Sequence, residues 1–474
     1  MKLIRRQKIW LAVVILVNLA LWLIPSDIVE QIARDRHTML GRYSRQHFTW
    51  IIGVAVVSLI SFYVDWSTGE RYKRRWFQVM ATLLFLIPVL GAIDFAVRGP
   101  EAGHYVHDAL AYHRPVNAEF EITFEDKPEA LRTYPEAPPG YGSVNCTGRT
   151  DKRGFRNQTD LTEYDIVVLG DSFAEGSKVS DEHAWTVRLA EKSGLTVYNL
   201  GMSGYDPLHY LASLQRYGLA LKPRYVLCML YEGNDFRSAK SDRKRKSPSV
   251  SKRLKRYLKQ SPIVSTADDF LIRTFGPINC AGPVKGIEIL DWLPLAIPAG
   301  PEAKYYAFAP KQLRDLYQSK EDFSRDRHWL NPRRLLADMD KLCRQAGRRL
   351  IVVYAPTKTH VTLPIVTDRL PAESVRAFTA ISYKKDLPEP TTFLASLLQR
   401  IDAKESVVGD WCQRESIPFI RLAKALRNAA TDGTQVYYTY DQHWTPQGHE
   451  VVAEAIHEFL ADMVPTDELT AAGH

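Results

Sequence analysis

Asp165-Ile-Val-Val-Leu-Gly-Asp-Ser172 decides the fold class. Its apolar core, Ile166 to Leu169, is bounded at once by Gly170. An uninterrupted apolar run of this length is the pattern of a strand buried on both faces, since a half-exposed strand alternates apolar and polar residues. Similar runs recur downstream. Thr196-Val-Tyr-Asn-Leu200 meets Gly201, Tyr225-Val-Leu-Cys-Met-Leu-Tyr231 is strongly apolar, as is Arg349-Leu-Ile-Val-Val-Tyr354, and residues 417–420 are short and strand-like. Helical spacing lies between them, over 182–193, 207–219, 332–346 and 391–411, and a last amphipathic helix is read over 446–460. Apolar strands alternating with helices predict a parallel sheet covered on both faces, a three-layer α/β/α sandwich of flavodoxin-like type. Function in such sheets sits at the carboxyl ends of the strands.

Four short segments stand at those positions or before the last helix. They are Gly170-Asp171-Ser172, Asn199-Leu-Gly-Met-Ser-Gly204, Gly233-Asn234-Asp235 and Asp441-Gln-His-Trp444. A serine hydroxyl is a weak nucleophile and needs a base within hydrogen-bond reach. Histidine titrates near neutrality and can take that proton. A carboxylate on its other ring nitrogen fixes the tautomer and stabilises the imidazolium. Asp441 and His443 are two residues apart, so an extended segment points both to one side. Thr445-Pro446 reads as the cap and first residue of the final helix, and Trp444 as packing that fixes the loop. Gly201 lets a backbone N–H approach closely, and Asn234 offers a side-chain amide. With the N–H of Ser172 these make a three-donor hole for an oxyanion.

In this order the four segments resemble the blocks of the SGNH hydrolases, the GDSL esterase/lipase superfamily. The resemblance covers roughly residues 160–462. It implies Ser172 as nucleophile, His443 as general base, Asp441 as its orienter, and Gly201 and Asn234 as oxyanion donors, with no cofactor and no metal. It departs from the family in a long insertion over about 236–330. Two rival motifs fail on spacing. Ser172 is followed by Phe173-Ala174 where a nucleophile elbow needs x-Gly, and Gly170 to Gly176 has one residue too many for a phosphate-binding loop. The Asp441-x-His443-Trp444 ending and the apolar N-terminus also resemble acetyltransferase-like members that decorate exopolysaccharides such as alginate. The resemblance therefore implies an acyl-ester hydrolase acting on carbohydrate, with two alternatives. One is an O-acyltransferase working with a membrane-bound O-acyltransferase partner, and the other is a non-catalytic polysaccharide-binding protein.

Composition narrows the class further. The chain has 474 residues, 45% apolar and 24% charged, within the globular range. Its net charge is +8, yet residues 240–259 hold ten basic residues and one acid, a net of +9, so the remainder sums to −1. One local run is not the basic face of a nucleic-acid-binding domain. That run reads as a solvated insert, or as a basic amphipathic helix that touches anionic lipid or an acidic polymer. Five cysteines are too few for a disulfide scaffold, though Cys343 and Cys412 could pair outside the cytoplasm.

Three stretches, 9–26, 46–64 and 76–93, carry no formal charge and have tryptophans near their ends. They are long enough to cross a bilayer as helices. Basic residues precede the first and the third, which predicts a cytoplasmic N-terminus and a catalytic domain outside an inner membrane. The expected organisation is a membrane region over 1–98, a linker with some β structure over 99–160, the hydrolase-like domain over 161–462, and a tail over 463–474.

Overall fold

The computed structural model describes residues 5–24, 38–39, 43–65, 70–97, 112–126, 140–236, 293–299 and 302–463, apart from 381 and 384. The basic run at 240–259 and the C-terminal tail lie outside the described residues. The chain divides into two compact units.

The first unit holds residues 1–101. Its helices are Arg5–Leu23, Arg45–Asp65 and Glu70–Val97, and they overlie the three uncharged stretches. The second helix packs on both others. The Asn18 amide donates to Ser58 Oγ at 3.0 Å across the first pair. Most of their large apolar side chains are exposed, including Leu16, Val57, Leu84 and Phe85. Among the described residues, one helix segment, His47–Val64, is long and apolar enough to cross a membrane, and Gln7–Leu23 is a shorter apolar helix.

The second unit contains 102–131, 135–245 and 290–474. Its centre is a five-stranded sheet of β1 (Ile166–Leu169), β2 (Val197–Asn199), β3 (Tyr225–Tyr231), β4 (Arg349–Ala355) and β5 (Phe419–Arg421). The order is β5-β4-β3-β1-β2, and every pairing is parallel. One face, with Val167, Leu169, Val226, Cys228, Leu230 and Val352, joins a core built with Tyr210, Trp329, Met339 and Trp411. Those four side chains come from the helices Pro207–Ser213, Arg327–Gln345 and Ala403–Arg414. The alternate residues Ile166, Val168, Leu227, Met229 and Ile351 point the other way and are also fully buried. The chain leaves β1 for β2 on one side and then returns to β3 on the other. β1 and β3 therefore flank the switch point where an open α/β sheet forms its crevice.

Several expectations shift in detail. The helix expected over 391–411 is two helices, Pro390–Gln399 and Ala403–Arg414. At the break, Asp402 reaches His360 Nε2 at 2.8 Å. The end of the insertion holds the hairpin Leu293–Ala299/Glu302–Phe308 and the helices Pro310–Leu316 and Lys320–Arg325. The β structure of the linker is the hairpin Glu119–Glu125/Ser143–Arg149, held to the rest of the second unit through Arg149 N–H to Asp181 and Thr147 N–H to Ser180. Cys343 and Cys412 do not pair. Both are free thiols buried in the core, where burial raises each to about 12.

Candidate active site

Ser172 opens a one-turn helix, Ser172–Glu175, directly after β1. Asp171 caps it, its Oδ1 accepting the Phe173 N–H at 2.9 Å. Gly176 closes it at φ +77°, a conformation that strains any residue with a Cβ. The turn is crowded: a Cβ on Gly170 would lie 2.4 Å from the Ala174 methyl. The nucleophile candidate therefore sits where a buried strand ends and the first helical N–H groups have no intrahelical acceptor.

His443 arrives from the far end of the chain. Its Nε2 lies 2.8 Å from Ser172 Oγ, and its Nδ1 lies 2.5 Å from Asp441 Oδ1. The same Asp441 oxygen accepts the His443 backbone N–H at 2.8 Å. Burial would raise the Asp441 carboxyl. The charge and N–H groups of His443, with Lys178, outweigh it and hold Asp441 well below the usual carboxylate range. The ring stacks on Phe173 at 4.9 Å between centroids, and Phe173 packs edge-on against Trp444 at 4.8 Å. Trp444 is fully buried, and Thr445 Oγ1 caps the helix Pro446–Met463 by accepting the Gly448 N–H at 3.1 Å. His449 is buried in the first turns of that helix, and its Nδ1 accepts the Trp185 N–H at 3.4 Å.

The two expected oxyanion donors stand beside this row with different freedom. The Asn234 amide donates one hydrogen to Asp171 Oδ2 at 2.7 Å, which leaves it a second. Gly201 packs against the helix that Ser172 opens, where a Cβ would lie 2.6 Å from the Glu175 nitrogen. Its N–H is engaged by Asn199 Oδ1 at 2.8 Å. In this structure Gly201 serves close packing, and its N–H is not open.

Four residues that sequence reasoning passed over support these segments. Glu175 Oε2 accepts the Ser203 N–H at 2.9 Å, tying the Gly201 loop to the helix Ser172–Glu175. Its other oxygen accepts Arg114 Nε at 2.5 Å. Lys358 is fully buried, and its Nζ donates to the carbonyls of Tyr438, Thr439 and Asp441. Asp126 accepts three N–H groups of the same segment. Lys358 carried a usable signal, a charge just beyond a buried strand. Arg114 and Asp126 carried none.

A second imidazole cluster lies apart from the Asp441–His443–Ser172 row. His360 bonds Glu232 Oε2 at 3.1 Å and Asp402 Oδ1 at 2.8 Å. With Glu405, His360 and Asp402 could offer three ligand atoms to a cation. Both ring nitrogens, however, are already spent on carboxylates.

A model of the GDSL-like lipase/acylhydrolase family matches residues 166–456, more than half of the chain. The chain belongs to this family. It is an ester-acting hydrolase with the family's α/β fold. Among curated proteins none matches. Solved structures similar to this hydrolase include a member of the lipolytic G-D-S-L family from Veillonella parvula, 9% identical, covering 62% of this chain and 96% of that one at a TM-score of 0.29. An alpha/beta hydrolase from the Lake Arreo metagenome is 12% identical, with coverages of 65% and 99% and a TM-score of 0.31. A catalytic mutant of an acetylxylan esterase from Geobacillus stearothermophilus is 10% identical, with coverages of 64% and 97% and a TM-score of 0.31.

Proposed function

We propose that this hydrolase cleaves O-acyl esters with Ser172 as nucleophile, His443 as general base and Asp441 as its orienter. The observation that carries the reading is the unbroken row Asp441 Oδ1, His443 Nδ1, His443 Nε2, Ser172 Oγ, with its two gaps of 2.5 and 2.8 Å. Asp441 holds the proton on Nδ1, so Nε2 is left to accept from the serine. As Oγ bonds the ester carbonyl carbon, its proton passes to Nε2 and the carbonyl oxygen becomes an oxyanion. The second amide hydrogen of Asn234 and the Ser172 N–H are offered to that oxyanion. Collapse breaks the bond to the alcohol, which leaves with the proton from Nε2. Water then gives a proton to Nε2 and attacks the acyl carbon; collapse breaks the bond to Oγ, which takes the proton back from Nε2 as the acid leaves.

We place the enzyme on a membrane, held by the apolar helices of residues 5–97, with the catalytic unit on the outer side. The exposed apolar side chains of those helices support this, because water is a poor cover for so much contiguous apolar surface. Elsewhere among the described residues, the exposed large apolar side chains are Val116, Ile122, Leu161 and Leu330. An O-acetyl group on an envelope carbohydrate is the substrate class we assign.

The test uses the full-length protein with p-nitrophenyl acetate and with acetylated oligosaccharide. Wild type should turn over, and Ser172→Ala should lose about 10⁴-fold or more in kcat. Equal rates in the two proteins would overturn the reading. Acetyl appearing on an added sugar rather than in water would make the enzyme a transferase with the same site. A C-terminal reporter active only in the cytoplasm would reverse the orientation.

A further inference from the structure

The segment carrying the triad's acid has little regular structure to define its shape. Residues 439–443 form bends, with Tyr438 N–H closing on the His443 carbonyl at 3.1 Å. Most of its remaining backbone groups end on two buried side chains from distant parts of the chain. Asp126, 1% exposed, accepts the Thr439 N–H on Oδ2 at 2.6 Å, and the Tyr440 and Asp441 N–H groups on Oδ1 at 3.0 and 2.9 Å. Its Oδ2 also accepts the Tyr141 N–H at 3.0 Å, so its own hairpin is tied in. Lys358, 0% exposed, donates from Nζ to the carbonyls of Tyr438, Thr439 and Asp441 at 3.0, 2.7 and 2.9 Å.

The two side chains divide the backbone by polarity, Asp126 taking N–H groups and Lys358 taking carbonyls. Buried backbone groups must be paired, and charged partners make the strongest of such bonds. Asp441 is pinned on both sides of its Cα, with its N–H on Asp126 and its carbonyl on Lys358. That fixes where its carboxylate meets the His443 ring. Small misplacements of such a group are costly to rate.

We infer that Asp126 and Lys358 are positioning residues for the reaction, a two-sided clamp that sets the geometry of the Asp441–His443 loop. The inference rests on the esterase reading above and extends it. Asp126 lies before the residues matched by the family model, which begin at 166. The hairpin ahead of the matched domain is therefore part of the working enzyme and not a spacer. Burial lowers Lys358 to about 7, and the neighbouring Asp126 and Asp441 partly offset it.

The test compares full-length wild type, Asp126→Asn, Asp126→Gly and Lys358→Met. Asp126→Asn replaces an acceptor oxygen with a donor amide at nearly constant volume. In Asp126→Asn and Lys358→Met, kcat on p-nitrophenyl acetate should fall about 10- to 100-fold, with KM within about twofold. Hydrogen exchange should rise about tenfold or more at the amides of 439–441 in Asp126→Asn, while β1 and β3 keep wild-type protection. Added formate should restore part of the kcat of Asp126→Gly and none of that of Asp126→Asn. Wild-type kcat in both Asp126→Asn and Lys358→Met, or a lowered kcat with unchanged exchange at 439–441, overturns the clamp. If wild type hydrolyses no ester, the esterase reading fails by itself. The exchange pattern, and the rate at which phenylmethylsulfonyl fluoride labels Ser172, then still decide the clamp. If Asp126→Asn does not fold, Lys358→Met reads the same segment from its carbonyl side.

Discussion

Two imidazoles in the catalytic unit sit against carboxylates in nearly the same way, and only one is placed to act as a base. His443 bonds Asp441 on Nδ1 and the Ser172 hydroxyl on Nε2, and its side chain is 20% exposed. His360 bonds Glu232 on Nδ1 and Asp402 on Nε2, and its side chain is 0% exposed. Burial should lower His360, yet the carboxylates at both ends raise it to about 10. It is a locked cation with no hydroxyl to activate. Glu232, in turn, is held at about 2 against its burial, chiefly by His360, and it also accepts from Tyr354 and Thr357. A carboxylate on Nδ1 is thus common to both sites. What separates a base from a strut is the group facing Nε2.

The sharpest way to break this comparison is to remove the carboxylate on His443 Nδ1. Asp441→Asn keeps the volume but can donate toward Nδ1 and so favour the wrong tautomer. A loss on the order of 10³- to 10⁴-fold in kcat is expected. Stopped-flow or steady-state hydrolysis of p-nitrophenyl acetate checks it. A loss below tenfold would mean that Asp441 is a structural partner, as Glu232 is for His360.

The next effect is smaller and separates the two oxyanion candidates. Asn234→Ala removes the side-chain amide and should cost about 10²- to 10³-fold in kcat, mostly without raising KM. Asn199→Ala should change kcat in the opposite sense or little, because it frees the Gly201 N–H that Asn199 Oδ1 now holds. If Asn199→Ala instead loses as much as Asn234→Ala, the Asn199–Gly201 bond is itself what shapes the hole.

How much of this was legible in the sequence follows from the range of the interactions. The turn that carries Ser172 is local: a buried strand, Gly170, the Asp171 cap and Ser172 are neighbours in the chain, and their spacing reads directly. So does the Thr445-Pro446 helix start beyond His443. The parallel sheet was legible because β1, β3 and β4 are apolar without interruption. The Asp126–Lys358 clamp was not legible, because a lone Asp after an alternating strand looks like any surface acid. Its meaning comes from three N–H groups over three hundred positions away. The His360 cluster was not legible for the same reason, since Glu232 and Asp402 reach it from separate elements. The engaged Gly201 N–H is invisible in sequence because Asn199, two residues earlier, looks like ordinary strand-end punctuation.

The smallest effect on chemistry is expected where the second imidazole is removed, and there the readout is stability. His360→Gln leaves Glu232 buried with one partner fewer, a change that should cost about 3–5 kcal/mol, the usual loss when one member of a buried ion pair goes. The sign with pH is fixed by the shifts. His360 is raised from 6.5 to about 10, so its contribution is complete below pH 6.5 and fades as pH rises toward 10. Glu232, lowered from 4.5 to about 2, and Asp402, also lowered, contribute fully above pH 4.5 and lose that contribution in stronger acid. The gap in unfolding free energy between wild type and His360→Gln should therefore be widest between pH 4.5 and 6.5 and narrow by pH 10. Taking the difference of the two proteins cancels groups common to both, such as His449, whose burial lowers it well below its usual value. Denaturant unfolding followed by tryptophan fluorescence at pH 6 and pH 10 measures it. A gap that stays constant between them would show that His360 supports the fold by packing alone, and the contrast with His443 would then rest on geometry without charge.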